Sequence, residues 1–487
     1  MDNRVVDGKK TMNSIVLNLV SSVITILVTF LIIPILTNIM STADVGIATS
    51  FVTLKNILAI IVLLSIEKSI DRIILDSKDR DYESLSSILI ISTISSLLFY
   101  FVYLLFSKFI NNILGFSTPM MTLMFALVTI INGTNIYITY CNYKNKYKIT
   151  FIYNILSSPI AQIMSLVLVY LLTTHKYLGR IIGLDFFPII MGIIFSILIL
   201  YRGKCCYDKK IVASALAISI PLIPHMLSQV LLSNCDLLMI KNMVGASEAG
   251  IYSIAYTLSN ILYLIMLQLQ RPWSPWVYRR IKNNEIDSIN KNSSLLITFA
   301  ALLAVGLFTV APDAITLFLN SNYLPARYIV APICVGIFFQ IMYILFYDIE
   351  YYYKKNKSIA VFSIITAIIN LILNYIFIKT YGYYAAAYTT LVSYLILTIL
   401  HYCGVKKVEN RKLYNIKYFV GLSIVVILLS LINVQFVDNI IIRYSLLFIF
   451  GIFVLIFKGK DLLSFLESFI KTIRKWSYEE KNNIYTS

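Results

Sequence analysis

The chain of 487 residues is 59% apolar, has a mean hydropathy of +0.81 and carries only 13% charged residues, whereas soluble domains carry about 25%. These values exclude an ordinary water-soluble enzyme and indicate an integral membrane protein. The formal net charge of +17 would suggest a nucleic-acid partner in a soluble protein. The placement of the basic residues, described below, gives the charge a different meaning.

Fourteen segments are long and apolar enough to cross a bilayer, which takes about 20 residues because lipid offers no partner to free backbone groups. The first follows three basic residues but has no small-residue cleavage site, so we expect an uncleaved membrane helix. The loops are short and leave no room for a water-soluble domain. The predicted segments are 12–40, 45–70, 86–110, 119–142, 149–173, 181–201, 211–241, 246–275, 293–311, 326–352, 358–378, 384–404, 414–434 and 438–457.

The basic residues are divided unequally between the two sides of the predicted spans. Of the 41 Lys and Arg residues, 31 fall on the side of the N terminus and seven on the other side. The positive-inside rule therefore predicts that both termini lie in the cytoplasm. The charge is a topology signal, and no nucleic-acid partner is expected.

An internal repeat relates the two halves of the chain. The stretch 44–58 aligns with 248–262, and the alignment matches Gly46 with Gly250. The offset corresponds to six helices, an even number, so the repeats have the same orientation in the membrane. Parallel repeats of this kind are one of the two standard architectures of secondary transporters.

The predicted fold is therefore an all-α membrane protein of about fourteen transmembrane helices. Two parallel-repeat six-helix bundles would enclose a central cavity, with two further helices at the C-terminal end. Apolar residues at steps of four and three after Lys460 predict an amphipathic helix on the inner leaflet. The expected divisions are 1–205 for the first bundle, 206–405 for the second, 406–457 for the last two helices and 458–487 for the cytoplasmic tail.

Short motifs are distributed over nearly the whole chain, at 33–37, 44–46, 235–240, 250–253, 274–279, 350–355, 370–375 and 382–387. In their order and spacing they resemble the polysaccharide flippases of the multidrug/oligosaccharidyl-lipid/polysaccharide exporter superfamily, the Wzx-type exporters of O-antigen and capsule. Tyr384 departs from the pattern, because the family often has a second glycine there.

The resemblance implies a flippase that moves an undecaprenyl-pyrophosphate-linked oligosaccharide from the inner to the outer leaflet by alternating access. It also implies coupling to a proton or sodium gradient, and work beside a polymerase and other polysaccharide-assembly proteins. No catalytic residue, metal or other cofactor is expected.

Such a substrate requires positive charge within the membrane, where an ionisable side chain is costly. Lys55 lies near the middle of its predicted helix and is the first candidate for holding the pyrophosphate; the alternative is a structural pair with a buried carboxylate. Arg271 and Glu67 occupy matching repeat positions, with Lys68 beside Glu67. These three could form a gate and contact phosphate, or could be interfacial charges that reach water.

Four further residues are candidates for gating or ion coupling. Asp236 lies toward the outer end of its predicted helix and is either a proton or sodium site or a hydrated helix-end carboxylate. Asp348 and Glu350 lie where a helix meets the cytoplasm, and hydration alone would also account for them. His225 follows two prolines that interrupt a helix, which makes it a candidate proton relay or simply part of a kink.

Other functions of the same broad kind stay open. A multidrug or ion-coupled exporter and a lipid II flippase share the superfamily architecture. A membrane glycosyltransferase or polymerase is the alternative from another class, since residues 79–81 form a DxD sequence. Gly8-Lys9-Lys10-Thr11 lacks the preceding glycine of a phosphate-binding loop, which argues against ATP-driven transport by this chain alone.

Overall fold

The computed structural model describes residues 24–76, 80–144, 146–205 and 207–461, without the side chains of residues 147, 271 and 272. Within these residues the regular structure is helical throughout. The helices are α1 (Ile24–Ile39), α2 (Thr42–Val62), α3 (Ile70–Asp76), α4 (Asp81–Leu105), α5 (Ser107–Leu114), α6 (Thr118–Tyr143), α7 (Tyr147–Leu171), α8 (Lys176–Arg202), α9 (Lys209–Ser219), α10 (Ile223–Met243), α11 (Ala246–Lys282), α12 (Ile286–Phe318), α13 (Val330–Tyr352), α14 (Asn356–Tyr381), α15 (Tyr384–Val408), α16 (Ile416–Gln435) and α17 (Ile440–Asp461).

Thirteen helical segments of the described chain are long and apolar enough to cross a membrane. The shorter α1 is the described part of the first predicted segment, whose beginning at residue 12 lies outside the described residues. Within the described residues, each of the fourteen predicted segments therefore corresponds to apolar helix. The amphipathic helix predicted after Lys460 lies outside the described residues, apart from Asp461.

The second predicted span is shorter than expected, because α2 ends at Val62 rather than continuing to residue 70. Leu64 and Ser65 adopt positive φ angles of 58° and 48°, a conformation that interrupts an α-helix. Ser95 of α4 donates a hydrogen bond to the Val62 carbonyl at 2.8 Å, which satisfies one of the backbone acceptors that a helix end leaves open. A 3-10 turn at Ile66–Ser69 then leads into α3.

The seventh span is interrupted near its start, as its prolines suggested. A 3-10 turn at Ile220–Leu222 separates α9 from α10, because Pro221 and Pro224 lack the amide hydrogen that a continuous helix needs.

Two other helices, α11 and α12, are longer than predicted and extend several residues beyond their predicted membrane segments. Backbone hydrogen bonding continues where the side chains become polar, and hydropathy alone does not detect such extensions.

The chain divides into two compact units. The first consists of the described residues up to Ile254, together with Phe318–Leu324 and Ala360–Ser393. The second consists of Ala255–Leu317, Pro325–Ile359 and the described residues from Tyr394 onward. The domain boundaries predicted from the sequence stay a prediction.

Within the first unit, the two glycines matched by the repeat lie against each other. A Cβ atom on Gly46 would collide with the Ala246 carbonyl, and one on Gly250 would collide with the Thr42 carbonyl. The hydroxyls of Thr42 and Ser247 are hydrogen-bonded at 2.7 Å beside this contact. Close helix approach through small residues is typical of membrane proteins. Repeat-related positions therefore form a reciprocal contact.

Candidate functional site

Lys55 lies in α2, where the sequence analysis expected a cation deep in the membrane. Its Nζ donates to both carboxylate oxygens of Asp185 on α8, at 2.6 Å and 2.5 Å. The two side chains are only 12% and 10% exposed. A carboxylate thus compensates Lys55, as the structural alternative required, and its role in substrate binding stays a prediction.

The sequence analysis missed Asp185. It is the one carboxylate within the predicted segment 181–201, and an acidic residue in an apolar span is a functional signal by itself. Its partner could not be identified from the sequence, because the pairing depends on α2 packing against α8.

Arg180 precedes Asp185 on α8 and lies one residue before the predicted segment 181–201. Its Nη1 donates to Gln162 Oε1 at 2.8 Å and to Ser165 Oγ at 2.7 Å, both on α7. Within the described residues Arg180 makes no ion pair with a carboxylate. Besides Asp44, Lys176 and Arg202 near the helix ends, the neighbouring helices α2 and α8 carry two cations, Lys55 and Arg180, and one carboxylate, Asp185. Lys and Arg are the donors that suit an anionic ligand.

Asp236 lies on α10 in the first unit and is only 2% exposed. Its carboxylate accepts hydrogen bonds from the Tyr252 hydroxyl at 2.5 Å and from the Leu237 amide at 2.9 Å. The Thr390 hydroxyl approaches it at 3.5 Å. Asp236 is therefore a buried group with defined hydrogen-bond donors. It is not the hydrated helix-end carboxylate that the sequence allowed as an alternative.

Amide and hydroxyl side chains of α14 and α15 extend the hydrogen-bond network of Asp236 within the same unit. Asn374 donates to the Asn370 carbonyl oxygen at 3.1 Å, and the Thr389 hydroxyl donates to Asn374. Asn370 in turn donates to Thr390 at 3.4 Å and to Ser393 at 3.1 Å. We call Asp236 and these five residues the Asp236 cluster. Its oxygen atoms, including one carboxylate, are of the type that hard cations prefer.

Glu67 and Lys68 lie in the 3-10 turn after α2 and form an ion pair with each other at 3.8 Å. The side chain of Lys68 is 47% exposed, which matches an interfacial charge. Arg271 lies in α11, but its side chain is outside the described residues. The predicted gate between Glu67 and Arg271 stays a prediction.

The second unit holds buried carboxylates on α13. Glu350 forms a short hydrogen bond with His401 Nδ1 of α15, and both side chains are fully buried. The Tyr343 ring stacks on the His401 ring at a centroid distance of 5.4 Å. Asp348, 2% exposed, accepts a hydrogen bond from the Ser274 hydroxyl at 2.8 Å. Neither carboxylate is the exposed interfacial group that its position in the sequence suggested.

His401 is a second residue that the sequence analysis missed, although it is one of only three histidines in the chain. His225, which was a candidate, is half-buried at the start of α10, and its backbone carbonyl accepts a hydrogen bond from Ser228. Within the described residues no three His, Cys, Asp or Glu side chains come close enough to hold a metal ion.

The described part of the DxD sequence has a structural role. Asp81 forms an ion pair with Lys144 at 2.8 Å and accepts a hydrogen bond from the Tyr140 hydroxyl at 3.2 Å. Asp81 is therefore committed to packing contacts at the start of α4, which gives no support to a nucleotide-sugar site there.

Comparison with known proteins decides the family. A family model described as "Polysaccharide biosynthesis protein" matches residues 11–279, more than half of the chain. The chain belongs to the polysaccharide biosynthesis protein family. The resemblance inferred from the motifs is thereby confirmed.

The fold of this family member is shared with solved membrane transporters. It is similar to a structure of the lipid II flippase MurJ in an inward closed conformation, with a TM-score of 0.64, 18% identity, and coverage of 93% of this chain and 100% of that one. It is also similar to an inward-facing multidrug resistance transporter of the MATE family and MOP superfamily, with a TM-score of 0.60, 12% identity, and coverage of 81% and 97%. The predicted all-α MATE/MOP-like fold class is confirmed.

A protein of the Lsg locus of Haemophilus influenzae is 24% identical over 159 residues, which is 32% of this chain and 39% of that protein. The match thus spans well under half of either chain. It supports the family relation without adding residue roles.

Proposed function

We propose that this protein is a flippase that moves an undecaprenyl-pyrophosphate-linked oligosaccharide from the inner to the outer leaflet of the bacterial cytoplasmic membrane. Membership of the polysaccharide biosynthesis family and the MATE/MOP-like fold support transport for a surface polysaccharide. The basic-residue distribution supports cytoplasmic termini. On this proposal the polymerase and other assembly proteins act on the product, and the chain performs no covalent chemistry.

The observation that carries the proposal is the sheltered Lys55–Asp185 pair in the membrane-spanning part of the first unit. Moving a pyrophosphate out of water is costly unless cations compensate its charge. Without substrate, Asp185 compensates Lys55 and prevents the penalty of an isolated buried charge. A pyrophosphate can compete for the Lys55 ammonium, and Arg180 offers a second cation on the adjacent helix. Exchange of one anion for another lets the site bind and release its substrate.

The Asp236 cluster is proposed to hold the coupling cation, either sodium or a proton. A carboxylate with amide and hydroxyl oxygens can surround sodium, and the same carboxylate can instead take up a proton. The cluster joins α10 to α14 and α15, so a change in its charge would alter how these helices pack.

The experiment measures flipping of a fluorescent lipid-linked oligosaccharide in vesicles that contain the purified protein. Lys55→Ala is expected to reduce the rate about tenfold or more, because one charge-assisted contact to phosphate is lost. Lys379→Ala removes an exposed lysine at the end of α14 and is expected to leave the rate unchanged.

A double variant distinguishes substrate binding from a structural role. Lys55→Ala/Asp185→Ala removes both charges, so it avoids the uncompensated carboxylate that Lys55→Ala leaves in the membrane. On our proposal the double variant inserts stably but does not recover flipping. Normal flipping by the double variant would contradict the assignment of Lys55 to the substrate.

A further inference from the structure

A cavity of about 570 Å³ lies in the second unit, at the loop that joins α15 to α16. The positive-inside rule places this loop on the cytoplasmic face. The cavity is separate from the Lys55 site and from the Asp236 cluster, both of which belong to the first unit. Its lining residues come mainly from the loop, with Asn290 of α12 on one side.

The ionisable side chains that line this cavity have an excess of positive charge. Four are cationic, and Glu409 is the one carboxylate; the cations are Lys406, Arg411, Lys412 and Lys417. Glu409 is fully engaged, because it accepts hydrogen bonds from Arg411 at 2.8 Å and 2.5 Å and from the Tyr353 hydroxyl at 2.5 Å. These contacts hold the pKa of the Glu409 carboxyl down to about 2.

The three lysines of the lining form no ion pair within the described residues. Lys406, Lys412 and Lys417 therefore concentrate positive charge around a concave surface, and no carboxylate of the described residues forms an ion pair with them. Like charges gathered in this way repel one another, and an anion in the cavity would relieve the repulsion.

The start of α16 adds to this preference. Ile416 and Lys417, the first residues of the helix, line the cavity. The N-terminal end of a helix carries a partial positive charge and unsatisfied amide groups. The Asn415 side chain accepts a hydrogen bond from one of these amides, that of Tyr418, at 3.2 Å. Asn290 adds a further polar residue to the lining.

We propose that this cavity binds a phosphate-bearing anion at the cytoplasmic face, with Lys406, Lys412 and Lys417 as the residues that hold it. Cavities that bind molecules of ordinary ligand size measure about 300–1,000 Å³, so the ligand is larger than a single phosphate. A diphosphate compound from the cytoplasm and the headgroup of an anionic lipid share the required chemistry. The proposal goes beyond the flippase function and does not depend on it.

The experiment compares two sources of phosphate on the full chain in lipid nanodiscs. One arm titrates inorganic pyrophosphate onto the protein in phosphatidylcholine nanodiscs and measures binding by calorimetry. The other arm replaces part of the phosphatidylcholine with phosphatidylglycerol and measures retained lipid by native mass spectrometry. One of the two probes, pyrophosphate or phosphatidylglycerol, is expected to bind to the unmodified protein. The variant Lys406→Gln/Lys412→Gln/Lys417→Gln is expected to bind that probe about tenfold or more weakly.

A matched control has the same change of charge elsewhere on this face. Lys354→Gln/Lys355→Gln/Lys357→Gln removes three exposed lysines, two from the loop between α13 and α14 and one from the start of α14, and binding is expected to stay within about twofold of the unmodified protein. The corresponding triple Lys→Arg variant of the cavity is expected to retain binding, which shows that loss in the Gln variant is not unfolding. Equal loss in both Gln variants, or no binding of either probe by the unmodified protein, would overturn the proposal.

Discussion

Ionisable side chains within the membrane-spanning helices are the residues on which function is expected to depend, and the structure pairs each of the main ones. Lys55 meets Asp185, Glu350 meets His401, and Asp236 meets the Tyr252 hydroxyl. The sequence identified Lys55 because charge is costly in an apolar span, and it offered Asp236 and Glu350 as candidates toward helix ends. It did not identify their partners, because partners come from distant helices.

The first prediction concerns Asp236. Asp236→Asn removes the charge but keeps the size of the side chain, so the Tyr252 hydroxyl retains an acceptor. We expect flipping to lose its dependence on an imposed sodium or proton gradient, measured in vesicles with each gradient in turn. Asp71→Asn, at an exposed aspartate of α3, is the control and should respond as the unmodified protein does. A gradient response that survives in Asp236→Asn would remove the Asp236 cluster from coupling.

The second prediction concerns the buried Glu350–His401 pair. His401→Leu leaves Glu350 buried without its partner, which costs about 3–5 kcal/mol. Glu350→Leu/His401→Leu removes both polar groups and should be closer to the unmodified protein in stability. Thermal unfolding of the detergent-solubilised variants measures the difference. If the single and double variants unfold at the same temperature, the two residues are not energetically coupled.

At the scale of elements, the contact between α2 and the start of α11 shows why the repeat has glycines where it does. Gly46 and Gly250 each face a backbone carbonyl near the other, so a side chain at either position would separate the helices. The sequence repeat predicted that the positions are equivalent. Only the packed structure reveals that equivalent positions touch.

The third prediction uses two glycines in different surroundings. Gly46→Ala forces the Ala246 carbonyl to move and should destabilise the protein by about 1–3 kcal/mol. Gly306→Ala, in α12, meets no atom within 4 Å and should stabilise the helix by about 0.5–1 kcal/mol. Thermal unfolding of the two variants is expected to shift in opposite directions. If Gly46→Ala leaves the unfolding temperature unchanged, α2 and the start of α11 do not pack as closely as the structure shows.

At the scale of the whole molecule, the charge distribution of the loops predicts an orientation that hydropathy does not. The two ends of α14 test it directly, because Lys357 lies near its beginning and Lys379 near its end, and both are exposed. On the predicted topology these lysines lie on opposite sides of the membrane.

The fourth prediction places cysteines at these two positions in a background that lacks the native cysteines. In intact cells an impermeant maleimide should label Lys379→Cys and spare Lys357→Cys. Permeabilising the cells should expose both, which controls for reactivity. The reverse pattern would place the termini outside the cytoplasm.

The sequence by itself determined that the chain is a multi-span membrane protein, where its spans lie and which family it resembles. These properties follow from local rules, since a bilayer requires about 20 apolar residues per crossing whatever the neighbouring helices are. Tertiary structure alone decided that Asp185 neutralises Lys55, that Asn374 lies in the Asp236 cluster and that His401 meets Glu350. Such pairings depend on which faces of distant helices pack together, and side-chain chemistry offers several partners until that packing selects one.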